Sequence, residues 1–503
     1  MSTEAGAPSV RSDRGKSPSR TDWGTALITA LLLTGVANDI QGVALSPLVT
    51  TVTEELGLST SQMSWALIST TLAGGVSVGI LARLGDRLGR KKVLIAMLLI
   101  GLAGSLIGAL ATNFAMLLIS RATLGLAITA PLAWGLLKSH ADGRRLESAA
   151  HQLGLTIAIF TPIALVMGGA FVTAGLSWTT VFWVIFVVKL LTLVLVLRAP
   201  ETPLADRSPV PIEWIGSIGF SVWLFCLLLA ITQGGTWGWG SVAVIGLFIA
   251  AVTAFTLWVL QQRATAAPLL DMRDMNKRQV IAGFSLLATV AGVSTGGMYI
   301  MVPRFVATPP RAGYGFGTNV LESALTLAPI LIGVLLGGLI TRRLMARFGP
   351  RVPVLLGGLF AVCGFVLIAV VHDQLWHFYL LSAVWGLGAT LTYNVGWALV
   401  ATAGRKDNMA ITFGVQAAIS FPGSAMVTAL LLALLAPDPV SRMTAHGAYT
   451  AAFLVVSAMC LLGLFAVGMW LVPRALTYQG DIASQVTEEP RRAAPAIPTT
   501  GSP

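Results

Sequence analysis

Along most of this chain, apolar residues come in runs of about twenty, the length an α-helix needs to cross the hydrocarbon core of a bilayer. Short stretches where Arg, Lys, Asp, Pro and Gly collect separate the runs. With those breaks as boundaries, the pattern predicts fourteen spanning helices, at about 24–46, 61–82, 93–111, 114–136, 148–173, 178–197, 214–233, 241–262, 279–303, 321–341, 352–371, 377–403, 409–436 and 447–473. One run is interrupted. In LLLTGVANDIQGVAL, residues 31–45, Asn38, Asp39 and Gln41 sit among aliphatic residues. Helical spacing puts Gly35, Asp39, Gly42 and Ser46 on one stripe and Thr34, Asn38, Gln41 and Leu45 on another. A helix with such a polar arc turns it toward a central cavity and its apolar remainder toward lipid.

Composition agrees with the runs. The chain is 55% hydrophobic and 11% charged, where a soluble domain carries roughly 25% charged residues. Together these predict an all-α polytopic membrane protein. With the N-terminus placed in the cytoplasm, 28 of the 32 Lys and Arg residues fall on cytoplasmic segments. Arg304, Arg311 and Arg442 fall outside, and Arg121 falls within a span. This positive-inside asymmetry sets orientation and would vanish with one helix too many or too few. Both termini are therefore expected inside. The net charge of +11 then reflects orientation and contact with the bilayer, with no nucleic acid implied. Cys226, Cys363 and Cys460 are scattered singly in apolar runs, which excludes a disulfide framework or a Cys-rich metal site. The first 23 residues lack the apolar core of a cleavable signal, so they read as a cytoplasmic tail, and residues 475–503 as a disordered cytoplasmic tail.

A repeat organises the runs. LGDRLGRKKVLIAMLL (84–99) matches LMARFGPRVPVLLGGL (344–359), with Arg87/Arg347, Gly89/Gly349 and Lys91/Arg351 in register. Both segments follow the second span of a six-span unit. The expected division is a six-helix bundle over 24–198, two inserted helices with their linkers over 199–278, and a second six-helix bundle over 279–474. Paired repeats around a midplane site are the architecture of many secondary transporters.

The segment ARLGDRLGRKKVL (82–94) resembles the loop signature of the major facilitator superfamily through Asp86, Arg87, Gly89, Arg90 and Lys91, with Ala82 in place of the first glycine. The fourteen-span count narrows the resemblance to the drug:proton antiporter branch. RATLGLA (121–127) resembles the family's fourth-helix pattern, an Arg with Gly four residues on, and PLLDMRDM (268–275) and TPPRAGYGFG (308–317) are similar to segments of actinobacterial members. The resemblance implies a major facilitator fold, export of small organic molecules in exchange for protons, and a conformational latch at residues 86–91. The chain departs from the pattern in three places. ALVMGG (164–169) keeps Gly168 and Gly169 but not the Gly-Pro of the antiport motif, Thr179 follows Trp178 where Arg is usual, and Asp39 stands at the position of the usual threonine.

Charged groups inside a span cost about 2.5–3.5 kcal/mol on insertion scales and face a cavity or a partner. Asp39 and Arg121 are the two that stand clearly inside runs. Asp39 reads either as a carboxylate that binds and releases a proton between states or as one held permanently by neighbouring polar groups. A guanidinium stays charged at any working pH. Arg121 therefore reads as a partner of substrate or of Asp39, or as a bridge to backbone carbonyls. Further cavity candidates are Asn38, Gln41, Gln152, Tyr299, Trp385, Tyr393, Asn394, Trp397 and Gln416. Aromatic rings with a few amides suit amphipathic organic molecules.

Three functions compete. The leading one is a proton-coupled exporter working as a monomer in a bacterial inner membrane, with small molecules and protons as its partners and no cofactor or metal. The second is proton-coupled or facilitated nutrient uptake. The third is a membrane-embedded enzyme or other non-transporting protein. The chain carries no HExxH, GxSxG or P-loop pattern, each of which would mark a known enzyme chemistry.

Overall fold

The computed structural model describes residues 20–138, 143–199, 201, 214–265, 277–403, 423–424, 426–431, 433–435 and 444–474. These residues form helices and no strand. The first six predicted runs are α1 (Arg20–Val43), the short α2 (Val49–Glu55), α3 (Thr60–Leu88), α4 (Arg90–Ala109), α5 (Phe114–Leu126), α6 (Ala130–Lys138), α7 (Gly143–Thr173) and α8 (Thr180–Arg198). Then come α9 (Trp214–Trp237), α10 (Val242–Ala264), α11 (Lys277–Gly292), α12 (Val302–Ala307), α13 (Val320–Leu325), α14 (Ile330–Phe348), α15 (Arg351–Val370), α16 (Leu375–Ala403), α17 (His446–Cys460) and α18 (Val467–Trp470). Thirteen of the fourteen runs coincide with described helices. The run at 409–436 lies largely outside the described residues, as do both terminal tails. Among the described residues, nine helical stretches are long and apolar enough to cross a membrane.

The helices form two groups. Helices α1 and α3 to α8 pack on one another, and α11 and α14 to α17 do likewise. The first group buries Val36, Ile40, Leu117, Trp178 and Phe182 toward one end and Leu31, Leu94, Leu98 and Leu136 toward the other. The second group has a continuous core around Phe305, Phe365, Phe378 and Phe453. The hairpin α9–α10 packs on α3, where Phe220, Trp223 and Trp258 cluster with Leu72. On α10, Val252 and Leu257 stay 61–65% exposed, an apolar surface that lipid satisfies and water does not. The groups meet through α7, which packs on α13 and α14.

The internal repeat is visible in three dimensions. Gly89 (φ 102°) joins α3 directly to α4, and Gly349 (φ 75°) separates α14 from α15. Side chains rarely tolerate such backbone. Lys91 then donates to the carbonyls of Leu197 (3.0 Å) and Ala199 (2.6 Å) at the end of α8. Its counterpart Arg351 donates to the Met469 carbonyl at the end of α18. In both repeats a base completes the carbonyl end of a later helix, where the helix dipole is negative.

Three expectations need correction. The run at 114–136 is two helices, because Ala127–Thr129 leave the helix before Pro131, which has no N–H to continue the ladder to the Ala127 carbonyl and is tolerated only in the first turn of α6. The run at 321–341 likewise breaks into α13 and α14 just before Pro329–Ile330. The third concerns charge. Lys189, one of the 28 bases assigned to the cytoplasmic side, lies in the middle of α8, 0% exposed. Its Nζ has no hydrogen-bond partner, and its chain occupies the space left by Gly101 of α4, where a Cβ would come within 3.0–3.2 Å. The expected cytoplasmic count becomes 27, and Lys189 joins Asp39 and Arg121 as a charged residue inside a predicted span.

Candidate functional site

Asp39 lies near the end of α1, half-buried, with its carboxylate accepting a hydrogen bond from the Thr161 hydroxyl of α7. Thr161 precedes Pro162, which is inside α7. Tyr299 and Tyr393, from the second group of helices, are within electrostatic reach of Asp39. Tyr299 is carried by a π-helical stretch, Val293–Met301, that links α11 to α12, a local widening that recurs at functional sites. Its hydroxyl is hydrogen-bonded to Ser294. Tyr393 on α16 shares a hydrogen bond with Trp397, and their rings meet edge-on with centroids 6.0 Å apart. A carboxylate from one group of helices is thus within electrostatic reach of two phenols from the other.

Arg121 is placed differently. Its guanidinium, 3% exposed, donates to the carbonyls of Ala66 (3.3 Å) in α3 and of Gln41 in α1. The Thr70 hydroxyl donates to the Arg121 carbonyl at 2.9 Å. Gln41, 4% exposed, donates through Nε2 to the Leu124 carbonyl at 3.4 Å. Arg121 and Gln41 therefore form a polar seam inside the first group, tying α1, α3 and α5. The polar arc of α1 is split: Asp39 faces α7 and the second group, while Gln41 is packed against α5.

The remaining candidates sort by depth. Trp385 is 1% exposed and packs at 5.6 Å against Phe365, a core residue rather than a cavity wall. The expectation fails because an apolar helix buries large aromatics on its packing face as readily as on its cavity face. Asn38 is half-buried, and its Oδ1 is buried without a hydrogen-bond partner, an acceptor that a donor from water or ligand would satisfy. Asn394 is half-buried beside Tyr393, and Gln152 is exposed on α7. Gln416 lies outside the described residues.

The signature segment is mostly helix, ending α3 and opening α4 around Gly89. Arg90 donates to the Gly135 carbonyl of α6 at 2.7 Å, and Arg87 is exposed. The backbone of Asp86 is in α3, and its side chain lies outside the described residues. Gly168 and Gly169 of α7 allow two close approaches. A Cβ on Gly168 would meet the Ala44 carbonyl at 2.6 Å, and one on Gly169 would meet Leu321 Cα at 3.2 Å. Gly169 thus lies where the two groups touch, and Gly168 where α7 meets the chain just after α1 within the first group. Thr161 and Lys189 are polar residues of these helices that the sequence pattern does not single out. Among the described residues, no group of three or more His, Cys, Asp or Glu side chains could hold a metal ion.

Known proteins share this architecture. The family model described as Major Facilitator Superfamily matches residues 30–428. An uncharacterised MFS-type transporter of Mycobacterium tuberculosis is 31% identical over 350 residues, 69% of this chain and 48% of that protein. The chain thus spans about half the length of that relative. The tetracenomycin C resistance and export protein of Streptomyces glaucescens is 26% identical over 74% of this chain and 66% of its own. The uridine/deoxyuridine transporter of Lactococcus lactis is 28% identical over 72% of this chain and 76% of its own. Among solved structures, the human organic anion transporter TETRAN superposes with a TM-score of 0.60 at 15% identity, over 90% of this chain and all of that one.

Proposed function

The chain belongs to the Major Facilitator Superfamily, and on that premise we propose that it is a secondary active transporter exporting small organic molecules in exchange for protons. It would act as a monomer in a bacterial inner membrane, with both termini cytoplasmic and with bundles over 24–198 and 279–474 rocking about a site between them. The observation that carries this reading is the placement of Asp39. It is a carboxylate inside a span, hydrogen-bonded to Thr161 of its own half and opposed by Tyr299 and Tyr393 of the other. A group at that surface changes surroundings whenever the halves rock, so its proton occupancy couples to the facing state. One charge moved through 100 mV supplies about 2.3 kcal/mol, which a proton bound outside and released inside delivers to the cycle. Tyr299, Tyr393, Trp397, Asn38 and Asn394 suit an amphipathic organic substrate. The likeness to a tetracenomycin C resistance and export protein favours efflux.

Asp39→Asn is expected to abolish pH-driven transport in vesicles while leaving the melting profile of the purified protein intact. Wild-type proton-driven efflux by this variant would overturn the coupling role. The second reading is uptake, favoured by the likeness to a uridine/deoxyuridine transporter. The two separate in proteoliposomes with an imposed pH gradient: an exporter moves substrate against the proton flux, a symporter with it.

A further inference from the structure

His372 and His446 are 74 residues apart in sequence, yet the fold brings them together. His372 follows the last turn of α15, and His446 opens α17. Their Nε2 atoms are 2.7 Å apart, and the rings meet edge-on with centroids at 4.9 Å. His372 Nδ1 is 2.9 Å from the Ile368 carbonyl, so it carries a hydrogen and donates. Neutral His372 then has a lone pair at Nε2, and His446 Nε2–H must be the donor. The pair closes one wall of a cavity of about 320 Å³ whose other sides include Phe305, Tyr314, Phe316 and Asp373. Tyr314 stacks on the His446 ring at 5.3 Å and 18°, and its hydroxyl donates to the Thr444 carbonyl.

We propose that the His372–His446 pair is a proton-operated clasp that fastens the ends of α15 and α17 and opens when the medium it faces turns acidic. The clasp accepts one proton without breaking, because protonation of His446 at Nδ1 leaves its Nε2–H donating. A second proton must go to His372 Nε2. That removes the only acceptor and sets two cationic N–H groups against each other at hydrogen-bond distance. The two rings share one titration in this way, and its steps belong to the pair.

Other charged groups at the rim leave this logic in place. From the α15 end comes Asp373, exposed, which lines the same cavity. From the α16 end comes His377, which accepts from the Gln374 amide at 3.3 Å and packs on Trp376. From α12 comes Arg304, whose guanidinium donates to the Leu435 carbonyl (3.1 Å) and the Thr444 hydroxyl (3.3 Å). Tyr449 packs edge-on against Phe305. Burial pushes the Tyr314 phenol up, so Tyr314 stays neutral throughout. Under the proposed orientation this rim faces outward, the acidic side of an energised membrane. External acidity would then loosen the second bundle independently of the proton carried at Asp39.

Amide hydrogen exchange of the full-length protein in nanodiscs tests the clasp without measuring transport. Corrected for intrinsic pH dependence, exchange at 371–375 and 444–449 should rise roughly tenfold between about pH 7.5 and about pH 5. His446→Gln keeps an N–H donor for His372 but cannot titrate, and its exchange should stay flat within about twofold. His372→Gln, whose side-chain carbonyl accepts from His446, provides the same test if the first variant folds poorly. Equal acid responses in wild type and these variants would overturn the proposal, as would a flat wild type. Loss of protection on adding EDTA near neutral pH would also overturn it, by making the contact a metal bridge. Asp39→Asn should leave the response unchanged, so failure of the clasp and failure of the coupling assignment are separately visible.

Discussion

A hydroxyl that donates to a carboxylate away from water is worth about 1.5–3 kcal/mol when the acceptor is ionised. Thr161 makes that bond to Asp39. Thr161→Val preserves shape and removes the donor. Proton-driven transport should therefore slow by about tenfold, with Thr161→Ser restoring most of it. A Thr161→Val transporter as fast as wild type would mean the bond is incidental to the cycle. The carboxylate is legible in the sequence because an ionisable group is costly in an apolar run and must face a cavity or a partner there. Its partner is not legible, since a threonine in an apolar helix looks the same whether its hydroxyl bonds its own backbone, as Thr34 does on the Ala30 carbonyl, or reaches another helix. Lys189 is hidden for a different reason. Sorting bases by loop conceals one that sits in the middle of a helix, and only packing reveals the space that Gly101 leaves for it.

Between helices, small residues decide how closely backbones approach. Without a Cβ, Gly125 of α5 lies against α3, where an added Cβ would stand 2.3 Å from the Thr70 carbonyl. That approach also brings the Thr70 hydroxyl to the Arg121 carbonyl, so the same contact fixes the polar seam. Gly125→Val must separate α3 from α5, and overpacking of this kind costs about 1–3 kcal/mol. Gly42 of α1 has nothing within 4 Å of an added Cβ, and Gly42→Ala gains up to about 1 kcal/mol of helix propensity. In detergent, the first variant should melt several degrees below wild type and the second at or above it. Equal melting of the two would refute the close α3–α5 contact. The helices themselves are legible from apolar periodicity, and their ends are less so. Pro131 and Pro329 mark breaks that a count of apolar residues runs straight through. The burial of Trp385 and Gln41 depends on which face of a helix meets which neighbour, information that a nearly all-round apolar helix does not carry.

At the scale of the molecule, one surface and one charge pattern fix how the chain sits in the membrane. The apolar exterior of α10 requires lipid, and on the fourteen-span division that the sequence predicts, 27 of the 32 bases fall on segments at one face. Moving Lys189 into a span leaves that asymmetry standing, because it removes a base from the favoured side and adds none to the other. The asymmetry holds only if the number of crossings is even. The repeat demands the same parity, since Lys91 and Arg351 occupy equivalent places at the ends of α8 and α18 and both follow an even number of spans. Tags placed before residue 20 and after residue 474 should therefore both be digested by protease added to inside-out vesicles and both be protected in right-side-out cells. A cysteine at position 312, between α12 and α13, should show the opposite behaviour toward an impermeant thiol reagent, once Cys226, Cys363 and Cys460 are replaced. Tags on opposite faces would mean an odd number of crossings. One bundle would then be inverted relative to the other, and both the paired-bundle division and the outward placement of the His372–His446 rim would fall together.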